Sequence, residues 1–249
     1  MTDRSIASDI ESVLRPEPRA VTLFHHPFCP HSRFVRLALA EYGTPVRLVE
    51  ERVWERREAF LTINPAGTTP VLIEEGGPAV PGADVIAEYL DETRGGEAGD
   101  RRLLPRDLGS RIETRRLTSW FNGKFFEEVT SLLVTEKIYK RYMTRSAGGG
   151  PPDTQVIHVA RHNVRYHLAY IGWLVRSRNW LAGDRLSYAD IAAAAHLSCA
   201  DYVGDVPWGE DENAKVWYAR VKSRPSFRPL LTEVLPGTPP SPTYADLDF

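Results

Sequence analysis

The chain has 249 residues, of which 42% are hydrophobic and 26% charged, and its formal net charge is −2. That is ordinary globular composition, long enough to bury a core without staples, and near-neutrality excludes bulk electrostatic attraction to nucleic acid. Cys29 and Cys199 are the two cysteines, which excludes a disulfide framework and a multi-cysteine zinc or iron–sulfur site and fits a reducing compartment.

Residues 1–20 read as a polar N-terminal extension without the apolar stretch of a secretory signal. No apolar run is long enough for a membrane span, so the protein is expected in the cytoplasm. Residues 21–25 (Val-Thr-Leu-Phe-His) form a strand, and His26 to Pro30 a turn. From His31, Phe34, Val35, Leu37, Ala38 and Leu39 recur at helical spacing until Gly43. A second strand covers 45–50, a short helix 55–63, and Asn64 to Gly67 is a turn. A strand from Pro70 to Glu74 reverses at Gly76-Gly77 into Ala79-Val80, and 84–93 is an amphipathic helix. The order is βαβ, helix, ββα, with a parallel pair first and a hairpin second.

Residues 96–107 are rich in glycine and charge and read as a linker. From 108 to 233 the pattern is helical, broken at 146–153, with helices over 154–178 and 187–203. Ser187 and Asp190 form a capping box, with Leu186 and Ile191 at the staple positions. Trp173 and Trp180 read as core. Trp120, Phe121, Phe125 and Phe126 read as core or dimer packing, or as lining for an apolar substrate. His158 and His162 stand one helical turn apart with no third ligand, so no metal site is expected. Residues 234–249 form a tail with four prolines, which predicts an extended, solvated segment.

Cys29 carries the chemistry. It stands between a strand and the N-terminus of a helix, where free amide groups and the helix dipole favour a thiolate. Cys29-Pro30-His31-Ser32 keeps the first cysteine of a Cys-x-x-Cys pair and replaces the second by serine. That excludes an internal dithiol cycle and leaves a monothiol route resolved by an outside thiol. Pro70 in Thr68-Thr69-Pro70-Val71 is a candidate cis-proline that would present the Thr69 backbone to an extended peptide.

Phe24 to Leu39, Asn64 to Leu72, Val85 to Leu90 and the later Trp180-Leu-Ala-Gly-Asp-Arg-Leu-Ser-Tyr-Ala-Asp-Ile-Ala resemble the glutathione S-transferase superfamily over about 21–233. The resemblance implies an α/β thioredoxin-like N-terminal domain (21–95) and an all-α C-terminal domain (108–233), and a homodimer. It places Cys29 at the catalytic Ser or Cys position. Thr69, before Pro70, would hold the cysteinyl backbone of glutathione. The acid–Ser pair that binds the γ-glutamyl end falls on Gly82 and Ala83, which have no such side chains. Two lost hydrogen bonds to a charged group, each worth about 1.5–3 kcal/mol, put the glutathione site in doubt. Asp84, two places on, is expected to face another side of its helix.

The ending Tyr244, Ala245, Asp246, Leu247, Asp248, Phe249 reads as a short docking peptide and is similar to the tail of the FtsZ-localised division protein branch (FzlA type) of that superfamily. That branch implies a cytoplasmic, non-enzymatic protein that binds FtsZ filaments at the bacterial division site, with no cofactor. Arg111, Arg115 and Arg116, with Lys124, Lys137, Lys140, Arg141 and Arg145, form a candidate basic docking face. The alternative is a glutathione-dependent transferase or thiol transferase using Cys29, with glutathione as substrate.

Overall fold

The computed structural model describes residues 20–247. A four-stranded sheet in the order β2-β1-β3-β4 is built from β1 (Val21–His25), β2 (Val46–Glu50), β3 (Val71–Glu74) and β4 (Ala79–Pro81). β1 pairs parallel with β2 through α1 (Pro30–Glu41), while β3 runs antiparallel to both β1 and β4. Short α2 (Glu58–Ile63) precedes β3, and α3 (Ala83–Arg94) follows β4. Leu23, Leu72, Phe34, Leu37, Ile86 and Leu90 are all buried between sheet and helices. The hydrophobic periodicity therefore anticipates this half of the molecule closely.

The rest is helical: α4 (Leu108–Ser119), α5 (Ser131–Val134), α6 (Lys140–Tyr142), α7 (Thr154–Val175), α8 (Tyr188–Tyr202), α9 (Glu212–Lys222) and α10 (Arg228–Leu231). Two π-helical stretches, Trp120–Thr130 and Thr135–Tyr139, join α4 to α6. Such widened turns often mark functional sites, and no feature of residue spacing announces them. α8 is Ala-rich and wholly buried, so α1 packs closely on it across the domain boundary.

Asp190 organises the start of α8. Its carboxylate accepts the Ser187 amide (3.0 Å), the Ser187 hydroxyl (3.0 Å), the Leu181 amide (2.9 Å) and the Trp217 indole N–H (3.0 Å). Burying a carboxylate is tolerable only with such satisfaction.

Three expectations need correction. The segment 96–107 is docked: Leu103 and Leu104 are buried, and Arg102 grips Asp91 through two bonds. Trp173 is 58% exposed and is no part of the core. The tail folds back onto α8. The prolines do forbid helix and sheet, but side chains satisfy the freed backbone groups instead. Tyr202 accepts the Leu235 amide and donates to the Thr238 carbonyl, Arg141 donates to Gly237, and Lys222 to Thr243. Tyr244 is fully buried, with its ring 4.9 Å from that of Tyr202 and its hydroxyl donating to the Leu230 carbonyl (2.8 Å). Asp246 and Leu247 emerge exposed, while Asp248 and Phe249 lie outside the described residues.

Candidate functional site

Cys29 is the residue that caps α1. Its φ of −80° and ψ of 116° turn the chain from the β1 loop into the helix, and Pro30 occupies the first helical position, where no amide donor is needed. The thiol lies 3.6 Å from the Thr69 carbonyl, and the Thr69-Pro70 bond is cis. Cys29, Thr69 and Pro70 therefore come together across 40 residues of sequence, beside Gly82 and Ala83 at the start of α3. They line one cavity of about 390 Å³, together with Val53, Phe126, Val134 and Tyr139.

His31 is the second residue of α1, in its first turn. Its Nε2 lies 2.8 Å from the Asn122 carbonyl oxygen, which can only accept, so that nitrogen carries a proton. The other nitrogen is left for Cys29. Burial by itself pushes the thiol up, but the hydrogen bond and charge of His31, with hydrogen bonds from Ser32, outweigh it and bring the pKa down to about 7. Burial works against a charge on His31 too, and the Cys29 thiolate, the Asn122 carbonyl and Asp84 together raise its pKa. The opposite shifts of the two groups favour a proton moving from Cys29 toward His31 at the N-terminus of the helix.

Asn122 binds the domains together. It stands on the first π-helical stretch, its carbonyl meets His31 of α1, and its side-chain amide donates to Asp84 of α3 at 2.7 Å. Its side-chain oxygen faces His196 Nε2 (3.3 Å), whose other nitrogen meets Thr130 (2.8 Å). Burial, then the charges of His31 and His167, lowers the His196 pKa well below its ordinary value, which keeps the ring neutral. Asp84 thus lines the Cys29 cavity, contrary to the expectation that it faces elsewhere. The glycine turn before α3 brings it round: Gly82 has φ +91° and carries no side chain to occupy the space.

The residues that would hold glutathione fit it incompletely. Thr69 presents its carbonyl beside the thiol. Gly82 and Ala83 offer no side-chain hydrogen bond, the neighbouring carboxylate of Asp84 is already bonded to Asn122, and among the described residues no Lys or Arg lines the cavity to meet an anionic ligand. Cys199 is buried behind the site, donates to the Phe28 carbonyl (3.7 Å), and is pushed up to about 11 by burial. It is an inert thiol.

The other candidates lie elsewhere. Arg115 pairs with Glu88, and Arg116 with Glu113 and the Tyr170 hydroxyl, while Arg111 donates to the Pro105 and Arg106 carbonyls. Lys124, Lys137 and Lys140 are paired with Glu128, Asp205 and Glu136. Much of the basic run is therefore internally neutralised: Arg115, Arg116, Lys124, Lys137 and Lys140 each face a carboxylate, while Arg111 and Arg141 donate to main-chain carbonyls. Tyr244 is an anchor inside the protein, so the docking string is reduced to the residues beyond it. Asn122 and Tyr139 have no local sequence signal: the π-helical stretches carry them, Tyr139 to the cavity wall and Asn122 to its contacts with His31 and Asp84. Among the described residues, no group of three or more His, Cys, Asp or Glu could hold a metal ion, and no helix is long and apolar enough to cross a membrane.

Two family models match the chain: the glutathione S-transferase N-terminal domain over residues 23–98 and the glutathione S-transferase C-terminal domain over residues 149–225. The chain is 44% identical over 231 residues to FtsZ-localized protein A of Caulobacter vibrioides, covering 92% of this chain and 98% of that one. Among solved structures it resembles a glutathione S-transferase from Sinorhizobium meliloti (53% identity, TM-score 0.90) and FzlA from C. crescentus (43% identity, TM-score 0.84). Each covers 92% of this chain, and this chain covers 100% of each.

Proposed function

Since the chain belongs to the glutathione S-transferase superfamily, we propose that it uses that fold as a bacterial division protein, binding FtsZ filaments as a dimer at the division site and needing no cofactor. The observation that carries this reading is the Asp84–Asn122 hydrogen bond beside the bare Gly82-Ala83 pair. At that end of the cavity the Asp84 carboxylate is engaged by Asn122. Similarity to a protein named for its FtsZ localisation supports the same reading.

A dimer surface is available. Val159, Tyr166 and Trp173 recur every seven residues along α7 and are each more than half exposed. Leu108 and Ile112 of α4 are likewise exposed, and Arg116 reaches from α4 to Tyr170. Large aromatic and aliphatic groups left in water at that spacing suit an isologous helix-on-helix interface. The residues beyond Tyr244 would extend from the particle toward a further partner or the filament.

Co-sedimentation with GTP-assembled FtsZ filaments tests the proposal. The protein should pellet with filaments and remain in the supernatant without them, and failure to pellet overturns it. The second reading, a glutathione-dependent transferase or thiol transferase using Cys29, draws on the Cys29–His31 pair. Calorimetric titration with reduced glutathione separates the two: no binding up to about 10 mM is expected, and micromolar binding would favour the enzyme.

A further inference from the structure

We propose that Cys29 is a covalent capture site for small, neutral, apolar-tailed α,β-unsaturated carbonyl compounds, which add to the protein's own sulfur with no glutathione taking part. The inference stands apart from filament binding, and its test leaves that reading untouched.

Four features of the cavity converge on this chemistry. First, Cys29 lines the wall with its sulfur held by His31 and near the Thr69 carbonyl, so a soft nucleophile faces the space. Second, a proton donor is fixed beside it. The Asn122 carbonyl ties down Nε2 of His31, and the Phe126 ring, 4.4 Å away by centroids, and the His196 ring, 5.3 Å away, hold the imidazole in place.

Third, Val53, Pro70, Phe126, Val134 and Tyr139 make the remaining wall mainly apolar. Fourth, the charges select against anions. Asp84 and Cys29, which both take negative charge on losing a proton, line the space, and among the described residues no lining Lys or Arg offsets them. A neutral electrophile with a hydrocarbon tail meets these conditions, while a peptide carrying two carboxylates does not. Cys199 is fully buried and bonded to Phe28, so no internal thiol stands ready to resolve a mixed disulfide, which makes addition more apt than exchange.

The step balances within the pair. The Cys29 thiolate attacks the β-carbon and a C–S bond forms. The C=C π electrons move to give the enolate. The His31 imidazolium returns its proton to the α-carbon. The products are a thioether and a neutral imidazole, and nothing is oxidised or reduced.

The test uses the purified full-length protein with trans-2-nonenal and with acrolein, followed by intact-mass spectrometry and peptide mapping, with N-acetylcysteine as the reference thiol. One adduct is expected, on Cys29, with Cys199 untouched. The nonenal-to-acrolein rate ratio should exceed that of N-acetylcysteine by at least about tenfold, because the extra methylenes are buried. The rate should rise with pH about a midpoint near 7. His31→Gln should move that midpoint upward, and Phe126→Ala should pull the rate ratio toward that of N-acetylcysteine. If Cys29 reacts with the same ratio as N-acetylcysteine, or not at all, the proposal is overturned.

Discussion

The side-chain amide of Asn122 donates to the Asp84 carboxylate at 2.7 Å, joining the helical domain to the start of α3 at the mouth of the Cys29 cavity. The same residue accepts from His31 through its main chain. One asparagine therefore both engages the acid beside Gly82 and Ala83 and fixes the proton on Nε2 of the histidine beside the thiol.

Asn122→Ala removes the Asp84 and His196 contacts and keeps the main-chain carbonyl. It should lower stability by about 1–3 kcal/mol, the usual effect of stranding buried polar partners. The Cys29 alkylation midpoint with iodoacetamide should stay near 7. Urea denaturation and a pH–rate profile check the two halves separately. A midpoint that rises together with the loss of stability would remove the main-chain carbonyl from the account.

Tyr244→Ala should destabilise the fold by about 3–5 kcal/mol, as for other large buried aromatics, because it empties the space between Tyr202, Leu230 and the buried Arg33. Truncation after Ala245 leaves the Tyr244 anchor in place and should cost less stability than Tyr244→Ala. The truncation should impair division in cells if the tail end docks. Normal division with it would confine the role of the tail to the Tyr244 anchor.

Trp173→Glu with Tyr166→Lys places charges on the exposed stripe of α7. The double variant should sediment as a monomer with an unchanged circular dichroism spectrum, whereas the parent should sediment as a dimer. An unaltered dimer would move the interface to another face.

Acid should weaken the fold well above the carboxylate range. Burial, then the charges of Arg36 and His26, lowers His25 from 6.5 to about 3, and burial, then the charges of Arg52 and Arg33, lowers His26 from 6.5 to about 4. Below pH 6.5 the unfolded chain takes up protons at these positions that the folded chain refuses. Their contribution is complete above pH 6.5 and is lost as pH falls toward 4 and 3. The urea midpoint should drop between pH 7 and 4.5, and His26→Gln should flatten that slope. An equally steep slope in the variant would assign the drop to other groups.

The thioredoxin-like half was legible because local signals agreed: a β-rich run into Cys29, the helical period through Leu39, and the Gly76-Gly77 reversal all favour one arrangement. The Ser187–Asp190 box was legible for the same reason, since both partners lie within four residues. Charge was the weak guide. A cationic run is the same string of letters whether or not carboxylates stand opposite, and the partner of Arg115, Glu88, lies 27 residues distant.

The sequence alone determined the family, the two-domain order, the position of Cys29 at a helix start and the missing side chains at Gly82 and Ala83, because each depends on local pattern or residue identity. Only the tertiary structure decided that Asp84 turns into the cavity, that Asn122 holds both Asp84 and His31, and that Tyr244 is buried rather than displayed. Those outcomes depend on long-range packing. A π-helical turn re-aims side chains without changing composition, and a proline-rich segment is extended in either case, whether water or the buried hydroxyl of Tyr202 satisfies its backbone.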